Sequence, residues 1–171
     1  MRNLEAKFKL TDLPGARARA ERSGLLYRAT LVQRDTFYRV AHGKLKLREE
    51  SAGAALIHYR RELTGDLEVS DYTIVAVAEP LATRAMLERA LGVIAVVDKR
   101  RMLLTRDHLR LHLDVVEGLG EFGEIEIIVR DGEAPAAYEA TLREVLEMLG
   151  VQPSALIRQS YFELMAARPA A

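Results

Sequence analysis

The stretch RLHLDVVEGLGEFGEIEI, from Arg110 to Ile127, decides the predicted fold. Polar and apolar side chains alternate on both sides of a Gly-rich turn, which is typical of a β-hairpin with one apolar face. The polar face carries Arg110, His112, Asp114, Glu124 and Glu126. Carboxylates two residues apart on a strand point the same way and can share one hard cation, and oxygen ligands favour Mg²⁺ or Mn²⁺ over zinc. A hairpin with one solvated face shows the same alternation, so the pattern alone leaves a purely structural interpretation open.

Length and composition indicate one globular domain. The chain has 171 residues, of which 49% are hydrophobic and 29% are charged, as in ordinary globular proteins. We therefore expect a single domain over residues 1–171, with the last few residues frayed. The absence of cysteine removes disulfides, thiol catalysis and zinc–thiolate sites.

The charge balance and the N-terminal residues narrow the range of partners. Lys plus Arg equals Asp plus Glu at 25 each, which argues against a nucleic-acid partner. No apolar run approaches the roughly 18 residues that a membrane span requires. The N-terminal residues MRNLEAKFKL lack the apolar core of a signal peptide. The sequence therefore predicts a cytoplasmic protein without a membrane partner.

Alternation with a period of two residues predicts about eight strands. Strands are expected over residues 2–10, 25–40, 44–48, 55–63, 71–78 and 93–105, and in both arms of the hairpin. Helices are expected between residues 12 and 24, 80 and 92, and 134 and 149, with a loop at 64–70 and a short helix or turn at 160–165. This pattern predicts an α+β domain built on a largely antiparallel sheet.

The charged face of this sheet has two alternative environments. In an open sheet it would meet water, whereas in a closed barrel with helices packed outside it would line a tunnel, and alternation on several strands favours the barrel. The predicted inner face carries Glu5, Lys7, Lys46, Arg48, Arg60, Lys99, Arg101, Arg110, His112, Asp114, Glu124 and Glu126. Carboxylates that hold a divalent metal beside a group of Lys and Arg suit a polyphosphate, because both bind phosphoryl oxygens. The sequence contains no P-loop and no G-x-G-x-x-G motif.

Six short motifs extend along almost the whole chain. They are N-L-E-A-K at Asn3–Lys7, G-K-L-K-L-R-E at Gly43–Glu49, I-H-Y-R-R at Ile57–Arg61, V-V-D-K-R-R at Val96–Arg101, L-D-V-V-E-G-L-G-E-F-G-E-I-E at Leu113–Glu126 and S-Y-F-E-L-M at Ser160–Met165. In this order they resemble the CYTH superfamily of triphosphate tunnel metalloenzymes, and most closely its bacterial class IV adenylyl cyclase-like branch. Asn3 departs from the pattern, because the first signature position is usually Glu. Asparagine removes one negative charge and keeps a neutral oxygen.

The resemblance implies an eight-stranded antiparallel tunnel that binds a triphosphate with Mg²⁺ or Mn²⁺. By position, the metal ligands would be Glu5, Asp114, Glu124 and Glu126, with Asp114 either a ligand or a close neighbour of the ligands. Phosphate oxygens would be held by Lys46, Arg48, Arg60, Lys99, Arg101, Arg110 and His112. Glu5 and Lys7 would be catalytic, Lys7 by contacting phosphate or by helping to activate the nucleophile. Asp35 and Tyr38 match the second strand of the family and are interpreted as structural.

Three functions remain open at this point. The leading hypothesis is the conversion of ATP to cyclic AMP and pyrophosphate. The first alternative is hydrolysis of an inorganic or organic triphosphate, such as tripolyphosphate or thiamine triphosphate. The second alternative is a non-catalytic protein that binds polyphosphate or a nucleotide, for which Asn3 is the only support. Dimers are frequent in the superfamily, so a homodimer is one of the expected states.

Overall fold

Eight antiparallel strands form a closed barrel. The computed structural model describes residues 1–64 and 67–167. The strands are β1 (Arg2–Lys9), β2 (Leu26–Tyr38), β3 (Lys44–Glu50), β4 (Gly53–Thr64), β5 (Leu67–Val77), β6 (Val93–Arg106), β7 (Leu109–Val116) and β8 (Gly120–Ile128). They are hydrogen-bonded in the order β1-β5-β4-β3-β2-β6-β7-β8, and β8 pairs with β1 to close the barrel. The closed eight-stranded antiparallel barrel expected from the sequence is therefore confirmed.

The described residues also form four α-helices. They are α1 (Leu13–Arg22), α2 (Pro80–Leu91), α3 (Glu139–Met148) and α4 (Tyr161–Ala166). The first helix begins after Asp12, whose Oδ1 accepts a hydrogen bond from the backbone nitrogen of Gly15 at 2.9 Å. Within the part of the chain that the structure describes, no helix combines the length and the apolar character that crossing a membrane requires.

The main hydrophobic core lies outside the barrel wall, under α1 and α3. It contains Leu4, Phe8, Leu111, Leu113, Ile125 and Ile127 from the strands and Ala16, Ala20, Leu142, Val145 and Leu146 from the helices. A second, smaller cluster joins Leu87 of α2 to Tyr38 and Leu47 of the strands. Because the apolar faces of β1, β7 and β8 turn outward to helices, their polar faces must turn into the barrel.

Gly123 allows β8 to approach β1 closely. It stands opposite Phe8 in the strand register, and a Cβ atom at this position would lie 2.2 Å from ring atoms of Phe8. A larger side chain would therefore displace Phe8 from the core, which explains a glycine in the middle of the E-F-G-E-I-E segment.

One predicted boundary is wrong and another is shifted. The sequence predicts a loop over residues 64–70, but β5 begins at Leu67 and its first four residues are buried. Glu68 pairs with Glu5 of β1, so this segment is needed to join two strands of the barrel. The helix expected from residue 134 begins with a 3₁₀ turn, Pro135–Tyr138, before α3. The frayed end expected of the last few residues concerns residues 168–171, which lie outside the described residues.

The two ends of the barrel differ. At one end, Leu156 forms a β-bridge with Phe8, and the backbone nitrogen of Ile157 donates to the oxygen of Lys7 at 2.7 Å. Next, α4 contacts several strands at this end, through Tyr161 with Asp114, Phe162 with Phe37, and Glu163 with Lys44. At the other end, Ile74 lines the interior and is still 47% exposed. The C-terminal segment thus covers one end of the tunnel, and the other end opens to solvent.

Candidate active site

Inward-facing side chains of all eight strands line one cavity of about 570 Å³. Ten of the twelve residues expected on the inner face line it, namely Glu5, Lys7, Lys46, Arg48, Lys99, Arg101, Arg110, His112, Glu124 and Glu126. Arg60 and Asp114 do not. The barrel interior is therefore a tunnel with many more charged groups than an ordinary protein core.

The placement of Arg60 on the inner face is wrong, because Arg61 occupies the expected position. Arg60 is exposed on the outer face of β4, whereas Ile57, Tyr59 and Arg61 point inward. The prediction fails here because the inner face of β4 carries the uncharged side chains Ile57 and Tyr59. The rule that charged residues point inward therefore assigns the wrong set of alternate residues to the interior.

Arg61 joins three carboxylates inside the tunnel. Its guanidinium nitrogens lie 3.2 Å from Glu5 Oε2, 3.1 Å from Glu68 Oε2 and 3.5 Å from Glu124 Oε1. A forked cation in this position can hold carboxylates together or turn toward phosphate oxygens.

Asp114 holds Arg101 in place and does not line the cavity. Its carboxylate accepts hydrogen bonds from Arg101 Nε at 2.7 Å and Arg101 Nη2 at 2.6 Å, and from the Tyr161 hydroxyl at 2.7 Å. Burial alone would raise the pKa of Asp114, but Arg101 lowers it, so the group is ionised. Because both oxygens are engaged, we interpret Asp114 as the close neighbour of the metal ligands, one of the two roles expected for it, which positions Arg101.

Asp35 lies at the centre of three cations, which we call the cation cluster: Lys46, Arg48 and Lys99. Lys46 Nζ is 3.0 Å and Lys99 Nζ 2.8 Å from Asp35 Oδ2, and Arg48 donates to both carboxylate oxygens at 2.7 and 2.9 Å. Asp35 is only 1% exposed. Although burial alone would raise the pKa of Asp35, these cations hold it well below its usual range. Burial lowers the pKa of Lys99 to about 8 despite the attraction of Asp35.

The cation cluster keeps a surplus of positive charge, because one carboxylate compensates one of three cations. Sequence reasoning classed Asp35 as structural and missed its place at the centre of this cluster. The only signal was a single acidic residue on the inner face of β2, between Gln33 and Phe37. An isolated carboxylate gives no pattern of its own.

His112, Glu124 and Glu126 form a second group, which we call the ligand cluster. One ligand atom from each residue lies within 4.8 Å of the others. Burial and the nearby Arg101 lower the pKa of His112 to about 4, so the imidazole is neutral near pH 7. Its Nδ1 is buried, lies 3.5 Å from Glu126 Oε1 and has no hydrogen-bond partner among the described residues.

The ionisation of Glu124 and Glu5 shows what the ligand cluster lacks. Burial alone would raise the pKa of Glu124, but Lys7, Arg101 and Arg61 hold it well below its usual range. For Glu5, burial outweighs Arg61, and Glu126 and Glu124 add repulsion, which together raise its pKa to about 8. A carboxyl group that burial and neighbouring carboxylates keep neutral, near an imidazole nitrogen without a hydrogen-bond partner among the described residues, fits a divalent cation.

The remaining predicted residues surround the ligand cluster. Lys7 Nζ lies 3.4 Å from Glu124 Oε1 and 4.6 Å from the ring centre of Tyr161. Asn3 donates from Nδ2 to Glu126 Oε2 at 3.5 Å and accepts a hydrogen bond from the Tyr72 hydroxyl at 3.3 Å. Asn3 thus orients a member of the ligand cluster without adding charge to it.

The two clusters occupy neighbouring arcs of the barrel. Asp35 and its three cations lie on the consecutive strands β3, β2 and β6, and the ligand cluster lies on β7 and β8, beside β1. A closed barrel with this interior defines a class of protein, the β-barrel tunnel lined by charged side chains. The family model for the CYTH domain matches residues 1–161, and the chain belongs to that family.

Solved structures share this fold over nearly their whole length. The protein PH1012 of Pyrococcus horikoshii superposes with a TM-score of 0.86 at 21% identity, covering 95% of this chain and 98% of that one. A candidate adenylate cyclase from Vibrio parahaemolyticus gives 0.80 at 19% identity, covering 96% and 98%. A candidate adenylyl cyclase from Hippeastrum, in which triphosphatase activity is dominant, gives 0.68 at 16% identity, covering 96% and 95%. At these identities the likeness establishes the fold. A comparison with proteins of curated function finds no match.

Proposed function

We propose that the protein is a divalent-metal-dependent enzyme that binds a triphosphate along its tunnel and cleaves one of its phosphoanhydride bonds. The observation that carries the proposal is the pairing of the two clusters. The cation cluster has an uncompensated positive charge. The ligand cluster has an imidazole nitrogen, His112 Nδ1, without a hydrogen-bond partner among the described residues, and the neighbouring carboxyl of Glu5 is kept from ionising. A polyphosphate with a bound metal ion would supply both missing charges: its phosphoryl oxygens would bring negative charge to the cation cluster, and its metal ion would bring positive charge to the ligand cluster.

Each charged residue has a part in binding. A divalent ion held by His112, Glu124 and Glu126, with Glu5 beside them, would neutralise negative charge on phosphoryl oxygens. The guanidinium group of Arg48 would donate hydrogen bonds to non-bridging phosphate oxygens. The other residues that would bind phosphate oxygens are Lys46, Lys99, Arg101 and Arg61, the last in place of the expected Arg60.

Lys7 lies beside the ligand cluster, near the end of the tunnel that α4 covers. Because its ammonium lies close to Glu124 and over the Tyr161 ring, it is held at the inner end of the tunnel. There it would donate hydrogen bonds to phosphate oxygens or stabilise the charge of the attacking oxygen.

The first candidate reaction is the cyclisation of ATP, as in the class IV adenylyl cyclase-like branch. The ribose 3′-hydroxyl oxygen bonds to the α-phosphorus, the bond from that phosphorus to the bridging oxygen breaks, and pyrophosphate leaves. The sequence motifs and the candidate cyclase from Vibrio parahaemolyticus, with its TM-score of 0.80, support this reaction.

The second candidate reaction is hydrolysis of a triphosphate, in which water attacks the terminal phosphorus and orthophosphate is released. The candidate cyclase from Hippeastrum supports it, since triphosphatase activity is dominant in that protein of the same fold. The two reactions need the same tunnel and differ in which phosphorus lies in line with the nucleophile.

Product analysis by phosphorus NMR tests both candidates. The protein is incubated with Mg²⁺ and separately with Mn²⁺, and with ATP, tripolyphosphate or thiamine triphosphate. Cyclic AMP with pyrophosphate identifies the cyclase, and orthophosphate identifies the hydrolase. Glu124→Gln should abolish either product, and the outer-face variant Arg60→Ala is the control. Ligand binding without any product would refute the enzymatic proposal and leave a binding protein.

A further inference from the structure

One aromatic side chain at the tunnel end covered by α4 lies close to both clusters. Tyr161 is the first residue of α4, is 6% exposed and lines the cavity. Its ring centre lies 4.6 Å from Lys7 Nζ and 5.6 Å from Lys99 Nζ. Lys99 belongs to the cation cluster, and Lys7 Nζ lies 3.4 Å from Glu124 Oε1 of the ligand cluster. The ring is therefore within cation–π distance of one ammonium group beside each cluster.

An aromatic ring can hold these two ammonium groups without cancelling their charge. Lys7 and Lys99 are each 5% exposed, so little water surrounds them. The negative face of a ring attracts an ammonium group, whereas a carboxylate in the same place would neutralise it. Lysines held by the Tyr161 ring therefore keep their positive charge for an anionic ligand in the tunnel.

The hydroxyl group of Tyr161 acts on a third cation, Arg101. It donates to Asp114 Oδ2 at 2.7 Å, and the same oxygen accepts a hydrogen bond from Arg101 Nη2 at 2.6 Å. Arg101 Nη2 also donates to Glu124 Oε2 at 2.7 Å. Because the hydroxyl group fixes the carboxylate that orients Arg101, it helps to set the direction of the guanidinium group.

The C-terminal segment holds this ring in place from two sides. Ser160 caps α4 and forms a capping box with Glu163, and Glu163 Oε1 accepts a hydrogen bond from Lys44 Nζ of β3 at 2.9 Å. On β1, the backbone oxygen of Lys7 accepts a hydrogen bond from the backbone nitrogen of Ile157 at 2.7 Å. The backbone and the side chain of Lys7 thus both contact the C-terminal segment.

We propose that Tyr161 is a positioning residue for the reaction in the tunnel. Its ring would place Lys7 and Lys99, and its hydroxyl group would place Arg101, around the phosphate group at the end covered by α4. The inference rests on the proposed function, because it assumes that a triphosphate lies in the charged interior. It makes α4 a part of the active site and not only a cover.

Kinetics of two variants separate positioning from binding. The substrate is the triphosphate that the wild-type protein turns over in the phosphorus NMR assay. Tyr161→Phe keeps the ring and loses the hydroxyl group, so kcat should fall about tenfold, and Tyr161→Leu loses both, so kcat should fall about a hundredfold. All three cations remain in both variants. The affinity for tripolyphosphate with CH₂ in place of its bridging oxygens, measured by titration calorimetry, should therefore change less than about threefold.

NMR of the lysine side chains provides a measurement that does not depend on turnover. The chain has only five lysines, so their ε-methylene signals can be assigned one by one. The signals of Lys7 and Lys99 should shift in Tyr161→Leu, which removes the ring current, and should stay in place in Tyr161→Phe. The Lys44 signal should stay in place in both variants if α4 keeps its position, because Lys44 Nζ lies 5.0 Å from the ring centre of Phe162.

Tyr138→Phe is the matched control, because Tyr138 is a buried tyrosine of the main hydrophobic core whose hydroxyl group donates to Glu133 outside the tunnel. Its kcat should equal that of the wild type. The positioning role is overturned if Tyr161→Phe also keeps the wild-type kcat, if the analogue's affinity falls as much as kcat, or if the Lys7 and Lys99 signals do not shift in Tyr161→Leu. Tyr161→Phe decides alone if Tyr161→Leu does not fold. Absence of turnover by the wild-type protein would instead refute the proposed function, and the positioning role with it.

Discussion

Replacement of Asp35 by asparagine should destabilise the protein without ligand and make its stability depend on added polyanion. The carboxylate is almost completely buried, and its oxygens lie 2.7 to 3.0 Å from Lys46, Arg48 and Lys99. The variant keeps the shape of the side chain and removes its charge, so three cations remain together without a counter-ion.

The magnitude follows from the burial. Removing one partner of a buried ion pair costs about 3–5 kcal/mol. For a chain of this length, 1 kcal/mol shifts the melting temperature by about 2–4 °C. The melting temperature of Asp35→Asn should therefore be roughly 6–20 °C lower than that of the wild type.

The pH dependence of this loss has a definite sign. Burial already lowers the pKa of Lys99 to about 8 and the pKa of Lys46 well below its usual range, and the loss of Asp35 would lower both further. Between these values and the unfolded pKa of about 10.4, the unfolded chain binds more protons, so the unfolding free energy increases with pH. The gap between variant and wild type should narrow as the pH rises from about 6 to about 9.

Scanning calorimetry at both pH values, with and without tripolyphosphate, measures these effects. Tripolyphosphate should raise the melting temperature of Asp35→Asn by more than that of the wild type, because it restores negative charge to the cation cluster. Asp98→Asn is the matched control, since Asp98 pairs with Arg34 on the exposed outer face at 3.0 Å and should cost at most about 1 kcal/mol. The account of the cation cluster is wrong if Asp35→Asn and Asp98→Asn have the same melting temperature. It is also wrong if tripolyphosphate raises the melting temperature of Asp35→Asn by no more than that of the wild type.

Three further predictions concern the tunnel. Arg61→Ala should weaken binding of tripolyphosphate by tenfold or more in titration calorimetry, as about 1.5–3 kcal/mol per charge-assisted hydrogen bond implies, whereas Arg60→Ala should leave it unchanged; equal effects would refute the assignment of Arg61. The pKa of His112 is about 4 in the folded state and about 6.5 in the unfolded state. His112 therefore contributes about 3 kcal/mol to the free energy of unfolding above pH 6.5, and this contribution is lost as the pH falls through 4. The unfolding free energy of His112→Asn, measured with urea, should therefore decrease less than that of the wild type as the pH falls from 6.5 to 4. An equally large decrease in the variant would exclude His112 as the source of this pH dependence. Tyr161→Phe should lose about 1.5–3 kcal/mol with the hydrogen bond to Asp114, measured by the same urea titration, and an unchanged midpoint would show that this bond does not hold the C-terminal segment.

Alternation along the strands predicted most of the barrel, because its interior is polar. In such a fold the inside and outside faces differ in chemistry at almost every second position, and ten of twelve inner residues follow from that alone. The pattern fails where the interior becomes apolar, as on β4, where Ile57 and Tyr59 point inward beside Arg61.

Other features depend on contacts that no single strand encodes. Asp114 has the spacing of a metal ligand, but the guanidinium of Arg101 on the neighbouring strand occupies both of its oxygens. Apolar residues such as Leu31 and Leu103 cannot be told from core residues by alternation, and only the tunnel geometry shows that they line the cavity. Strand parity can be read from a sequence, whereas the partner that a side chain meets across the barrel cannot.

The pairing of β1 between β5 and β8 sets an order of events during synthesis. Among the eight strands described, β1 is synthesised first. It has no neighbour until residues 68–71 emerge from the ribosome, and its other edge stays open until residues 122–128 emerge. Until then Leu4 and Phe8 have no complete core to enter, and both edges of the growing sheet can pair with other chains. Nascent chains that stall before β8 should therefore be the form of this protein that most needs a chaperone, and the finished molecule, which has no barrel edge left open, should need one least.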